Sequence, residues 1–178
     1  PTTTKHQVNN KNKKILTYPD FARGMLIYGD MKIKIHKNEI NKPAREILKK
    51  ISKIKTNKAK IIALSGDLGA GKTTLTQEIS KELGTKNSVV SPTFVIMKIY
   101  KTNPGNEFLK DIKRLVHIDA YRLDGFNDLK KIGWNDVYND KENLIIIEWP
   151  ENVKECLDDK SYFVYLRHLD EENRIFEF

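Results

Sequence analysis

The residues best suited to chemistry lie in one stretch, Gly66-Asp67-Leu68-Gly69-Ala70-Gly71-Lys72-Thr73-Thr74. Gly66, Gly71, Lys72 and Thr73 occupy the fixed places of G-x-x-x-x-G-K-[ST], the spacing of a phosphate-binding loop. Glycine backbone lets successive N–H groups turn inward on an anion without a Cβ in the way. Lys72 supplies a mobile positive charge for β- and γ-phosphates, and the Thr73 hydroxyl a hard oxygen for Mg²⁺. A helix opening at Lys72 aims its positive end at the same anion. The stretch implies a site for a nucleoside triphosphate.

Two carboxylates complement it. Asp119 ends the run Leu115-Val116-His117-Ile118, and Glu148 ends Leu144-Ile145-Ile146-Ile147. In open α/β sheets ligands gather at the carboxyl ends of strands. Asp119 there suits Mg²⁺, directly or through water. Glu148 suits orienting or deprotonating an attacking water, or touching Mg²⁺ through one. Ser91-Pro92-Thr93-Phe94 reads either as a plain turn or as a mobile segment whose Thr93 senses Mg²⁺ or the γ-phosphate. His117 reads as a packed core histidine, and Arg122 as a phosphate or partner ligand, or equally as a partner of Asp124. Trp134 and Tyr138, at i and i+4, read as helix packing. Cys156, flanked by Glu155 and Asp158, reads as packing rather than a reactive thiol.

The elements that must position these groups follow from periodicity. Ile61 to Leu64 is a buried strand before the loop. Leu75, Ile79 and Leu83 stripe a helix over 72–83, with Gly84 where it should stop. Met31-Lys32-Ile33-Lys34-Ile35 alternates as a half-buried strand. Ala44, Ile47, Leu48, Ile51 and Ile54 have helical spacing, with Asn41 as the expected N-cap and Pro43 in the first turn. Strands are expected at 93–100 (through Phe94, Ile96 and Ile99), 115–119, 144–148, 162–166 and 174–176. A loop is expected at 102–113, containing Asn103-Pro104-Gly105-Asn106, and a helical excursion at 128–138, broken at Gly133. Strands alternating with helices predict an α/β sheet with antiparallel additions at its edges.

Composition narrows the classes. The chain of 178 residues carries a net charge of +8 and one cysteine, which excludes an internal disulfide and fits a reducing compartment. No apolar run approaches the ~20 residues of a membrane-spanning helix, and a cytoplasmic location is expected. Residues 1–60 hold 16 Lys and Arg against 4 Asp and Glu, and residues 61–178 hold 16 against 20. Without interleaved aromatic residues this basic excess reads as a solvated lysine-rich face. Residues 1–30 are expected to be a flexible N-terminal extension, although Met25-Leu26-Ile27-Tyr28 is apolar; residues 31–178 are expected to form the domain. No Asn-Lys-x-Asp guanine-reading motif occurs, and six arginines without a paired lid argue against a small-molecule kinase.

In order, residues 66–74, Ser-Pro-Thr-Phe (91–94), His-Ile-Asp-Ala-Tyr-Arg-Leu (117–123) and Glu-Trp-Pro-Glu (148–151) resemble the bacterial TsaE (YjeE) family, over about residues 31–178. These are small ATPases needed to make threonylcarbamoyladenosine in tRNA. The resemblance implies a P-loop NTPase fold, with a central, mainly parallel sheet flanked by antiparallel strands and helices. It implies ATP and Mg²⁺ as cofactors and hydrolysis that depends on partners. Those partners would be TsaD and TsaB, with tRNA met indirectly through them and with neither DNA nor membrane bound. Thr73, Asp119 and Glu148 take the Mg²⁺ positions, Glu148, Thr93 and Asp119 the catalytic ones, and residues 66–74 with Trp149 the nucleotide contacts. Pro43-Ala44-Arg45 stands where the family carries a threonine near the nucleotide. A nucleotide-dependent binding module with incidental hydrolysis is the alternative reading.

Overall fold

A computed structural model describes residues 31–103 and 107–178; the expected N-terminal extension and residues 104–106 of the loop expected at 102–113 lie outside them. Seven strands form one sheet, with spatial order β1-β7-β6-β2-β5-β4-β3. They are β1 Lys32–His36, β2 Lys60–Gly66, β3 Met97–Lys101, β4 Arg114–Asp119, β5 Asn143–Glu148, β6 Tyr162–His168 and β7 Asn173–Glu177. The central strands β6, β2, β5 and β4 are parallel, while β3 joins β4, β7 joins β6 and β1 joins β7 in antiparallel pairs. Hydropathy dictated this division. Ile61–Leu64 and Leu144–Ile147 are buried throughout, as strands covered on both faces must be, whereas β1 alternates as an edge strand does.

Helix α1, Asn41–Ser52, and helix α2, Lys72–Glu82, cover one face. On α1, Ile47, Leu48 and Ile51 are fully buried, each contributing about 1.5–3 kcal/mol of apolar transfer. Arg45 ties α1 to α2 through Glu82, Nε to Oε1 at 2.9 Å, and Pro43 and Ala44 pack inward. Helices α3, Phe126–Lys131, and α4, Trp134–Tyr138, sit over Val116, Ile118, Ile145 and Ile147 on the other face. Gly133 separates them at φ 93°, as expected, and the Trp134 and Tyr138 rings stack at 5.2 Å. Cys156 is buried in this layer.

Two expectations are corrected. Asn41 is the first helical residue rather than the cap; Ile40 precedes the helix and no side chain caps it. The strand expected at 93–100 starts only at Met97, because Pro92 accepts from the Val95 and Ile96 N–H groups and folds residues 93–96 into a turn. Ile96 adopts φ 67° there, and Phe94 is 85% exposed. Ile99, on the edge strand, also faces solvent. Of the lysine-rich segment, Lys32, Lys37, Lys42 and Lys49 pair with glutamates at the surface, where water screens the attraction.

Candidate functional site

The carboxyl ends of β2, β4 and β5 meet beside the N-terminus of α2, around a cleft of about 330 Å³. Leu68, Gly69 and Gly71–Thr74 line it together with Thr93, Asp119, Glu148 and Trp149. Gly66, Asp67 and Ala70 complete the loop without lining the cleft. Register explains the convergence. Asp119 pairs with Glu148 across β4 and β5, and β5 pairs in turn with β2, which runs straight into the loop.

Within the loop the glycines serve different ends. A Cβ on Gly66, at φ 140°, would lie 2.0 Å from the Leu166 carbonyl oxygen, so β6 requires glycine at this position. At Gly71, φ 104°, nothing lies within 4 Å. That residue leaves open room and precedes Lys72 in a left-handed conformation that side chains disfavour.

Lys72 folds back into its own loop. Its Nζ donates to the carbonyl oxygens of Gly66 at 2.6 Å and Asp67 at 2.9 Å, and lies 3.8 Å from the centre of the Trp149 ring. Burial lowers its pKa, a shift opposed by Glu148, Glu151, Asp119 and Asp67. Trp149 itself sits at φ 60°, a conformation uncommon outside glycine, with its ring 5.1 Å from Tyr121.

The carboxylates are held by hydroxyls. Thr73 Oγ1 donates to Glu148 Oε2 at 3.1 Å. Thr93 Oγ1 donates to Asp119 Oδ2 at 2.5 Å and Ser91 Oγ to the same oxygen at 3.3 Å, while the Tyr121 N–H donates to Oδ1. Glu148 and Asp119 are 3% and 5% exposed. Hydroxyl and carboxylate oxygens are the donor set Mg²⁺ takes. Among the described residues no three His, Cys, Asp or Glu side chains converge as a metal cage. Mg²⁺ at nucleotide sites usually takes one or two carboxylates and completes its shell with phosphate oxygens and water.

Sequence reasoning missed three features. His117 is fully buried as expected, yet its Nε2 lies 2.7 Å from Glu148 Oε1. Period-two alternation, which puts His117 on the face of Asp119, was the available signal. Ser91 and Tyr121 also border the cleft, within the 91–94 and 117–123 motifs but without an assigned role in either. Arg122 does not pair with Asp124; its guanidinium lies 4.7 Å from the centre of the exposed Phe94 ring.

The phosphate loop between β2 and α2, at the ends of a mainly parallel sheet, defines a P-loop nucleotide-binding fold. The solved structure of Bacillus subtilis YdiB shares that fold, with a TM-score of 0.57 and 24% identity over 83% of each chain. The family model "Threonylcarbamoyl adenosine biosynthesis protein TsaE" matches residues 35–176, and the chain belongs to this family. The tRNA threonylcarbamoyladenosine biosynthesis protein TsaE of Rickettsia prowazekii is 38% identical over 116 residues, 65% of this chain and 74% of that one. The Streptomyces coelicolor protein of the same name is 36% identical with the same coverage, and that of Haemophilus influenzae 32% identical over 69% and 72%. Membership places the chain in threonylcarbamoyladenosine biosynthesis. Among the described residues no helix is long and apolar enough to cross a membrane.

Proposed function

We propose that the chain binds Mg-ATP and hydrolyses it in support of threonylcarbamoyl transfer to the adenosine next to the tRNA anticodon, acting on a TsaD–TsaB complex. The observation that carries the reading is the convergence of Lys72, Thr73, Asp119 and Glu148 on one cleft. Lys72 would leave the Gly66 and Asp67 carbonyls, groups that only accept, for the phosphate oxygens that compete for the same ammonium. Trp149, stacked beside that ammonium, would border the nucleotide and feel the exchange. Thr73 and Asp119 would hold Mg²⁺, which when bound neutralises charge developing on the phosphate oxygens. Glu148 would orient the attacking water and take its proton, the work of a positioned base. Thr93, bonded to Asp119, would couple the 93–96 turn, with its exposed Phe94 and Val95, to this charge cluster and so present the nucleotide state to a partner.

Adenine specificity and action on TsaD and TsaB rest on family membership and on the missing guanine-reading motif. The non-enzymatic alternative, a nucleotide-dependent binding module, predicts no turnover even with the partner complex. Calorimetry and single-turnover hydrolysis with the partner complex present test the proposal. Parent protein is expected to bind Mg-ATP and turn it over, and Lys72→Ala to lose both. Unchanged affinity and hydrolysis in that variant would overturn the site.

A further inference from the structure

We infer that His117 is the positioning residue for Glu148, holding its carboxylate toward the cleft while the nucleotide exchanges the other contacts. The inference rests on the reading that Glu148 acts on the attacking water. Glu148 has two side-chain hydrogen bonds among the described residues, one at each oxygen: Thr73 Oγ1 on Oε2 at 3.1 Å and His117 Nε2 on Oε1 at 2.7 Å. The Thr73 hydroxyl is also the group that a phosphate-bound cation would claim. Once it turns to the cation, the imidazole is the remaining side-chain anchor of the carboxylate.

The imidazole is built to stay. His117 is fully buried on β4, two residues before Asp119 and diagonally across from Glu148 on β5. Its Nδ1 is also buried and has no hydrogen-bond partner among the described residues. No second bond therefore orients the ring; the contact with Glu148 does. A carboxylate only accepts, so Nε2 carries the hydrogen and Nδ1 is bare. This arrangement leaves no buried N–H without an acceptor. Between two groups as buried as these, a donor bonded to a charged oxygen makes a stronger bond than the same pair in water.

Substitution separates positioning from packing. Gln places an amide N–H near the position of Nε2, Asn places its amide a bond short, and Leu fills the space without a donor. The expected results are hydrolysis within about threefold of parent for His117→Gln, and about tenfold or more slower for His117→Leu and His117→Asn, tenfold being ~1.4 kcal/mol of lost positioning; Mg-ATP affinity should stay within about threefold in all three, because His117 does not line the cleft. Equal rates in the Gln and Leu variants, or equal loss in Gln and Asn, would overturn the inference. If the Leu variant does not fold, the comparison of Gln with Asn decides. A second readout needs no nucleotide. Nitrogen NMR of isotope-labelled histidine should show a slowly exchanging proton on His117 Nε2 and a bare Nδ1, with the protection lost in Glu148→Ala. A proton on Nδ1 instead, or protection unchanged by Glu148→Ala, would also overturn it. Failure of the parent to hydrolyse ATP would instead sink the proposed function, with the NMR measurement still deciding the His117–Glu148 bond.

Discussion

Gly66 and Gly71 carry the same motif letter but should fail in different ways. In Gly66→Ala the new Cβ meets the Leu166 carbonyl oxygen at 2.0 Å and its carbon at 3.0 Å. The obstacle is backbone, and β6 cannot retreat because it is bonded in parallel to β2 and antiparallel to β7. Two costs add: about 1–3 kcal/mol for a side chain held at positive φ, and about 1–3 kcal/mol for the shift that overpacking forces. A midpoint of about 4 kcal/mol is a large share of the 5–15 kcal/mol typical of domain stability, and lowers the melting temperature by about 8–16 °C at this chain length. In Gly71→Ala, with nothing within 4 Å, only the strain remains, so melting should fall by half as much or less. Its Cβ instead stands where phosphates would approach, and Mg-ATP affinity should drop about tenfold or more, a change of ~1.4 kcal/mol. Thermal melting and calorimetry on both variants check this. Gly66→Ala melting with the parent, or Gly71→Ala melting as low as Gly66→Ala, would refute the division of roles.

Other outcomes follow from the same geometry. Glu148→Gln should keep Mg-ATP bound while slowing single-turnover hydrolysis by about 10²-fold, whereas Asp119→Asn should weaken Mg²⁺-dependent binding along with turnover; a Glu148→Gln protein hydrolysing at the parent rate would show that another group positions the water. A chain starting at Met31 should bind Mg-ATP within about threefold of the full chain, roughly 0.65 kcal/mol, because the family match begins only at residue 35; lost binding would show that residues 1–30 contribute to the site. Burial pushes the Cys156 thiol from 9.0 up to about 12. The folded chain therefore keeps a proton that the unfolded chain releases, and this contribution to stability is whole below pH 9 and lost as pH rises toward 12. The urea midpoint of the parent should accordingly fall more steeply between pH 8 and 10 than that of Cys156→Ala, and parallel slopes would contradict it.

Much of this molecule was legible in order along the chain, because the forces behind it are local. The phosphate loop is a backbone conformation written in glycines a few residues apart, and a lysine and threonine next to it reach the same place in any fold that continues as a helix. The uniformly apolar runs before Asp119 and Glu148 announce strands buried on both faces. Their carboxylates belong at the strand ends because charge does not enter such a core. The Trp134–Tyr138 stack and the break at Gly133 are likewise within one or two turns of chain. What sequence could not supply was the meeting of distant segments. That Glu148 lies within reach of both Thr73 and His117 depends on β5 lying between β2 and β4 in one particular register, and a slip of one residue would turn Glu148 to the opposite face. The strand expected from Phe94 failed for a related reason. Apolar spacing cannot reveal that Asp119 takes the Thr93 hydroxyl and Pro92 the next amides, which turns Phe94 out to water. Gly66 shows the same limit. The motif marks it as a phosphate-loop glycine, but the carbonyl that forbids any other residue comes from Leu166, a hundred residues away on a strand that only tertiary structure brings alongside.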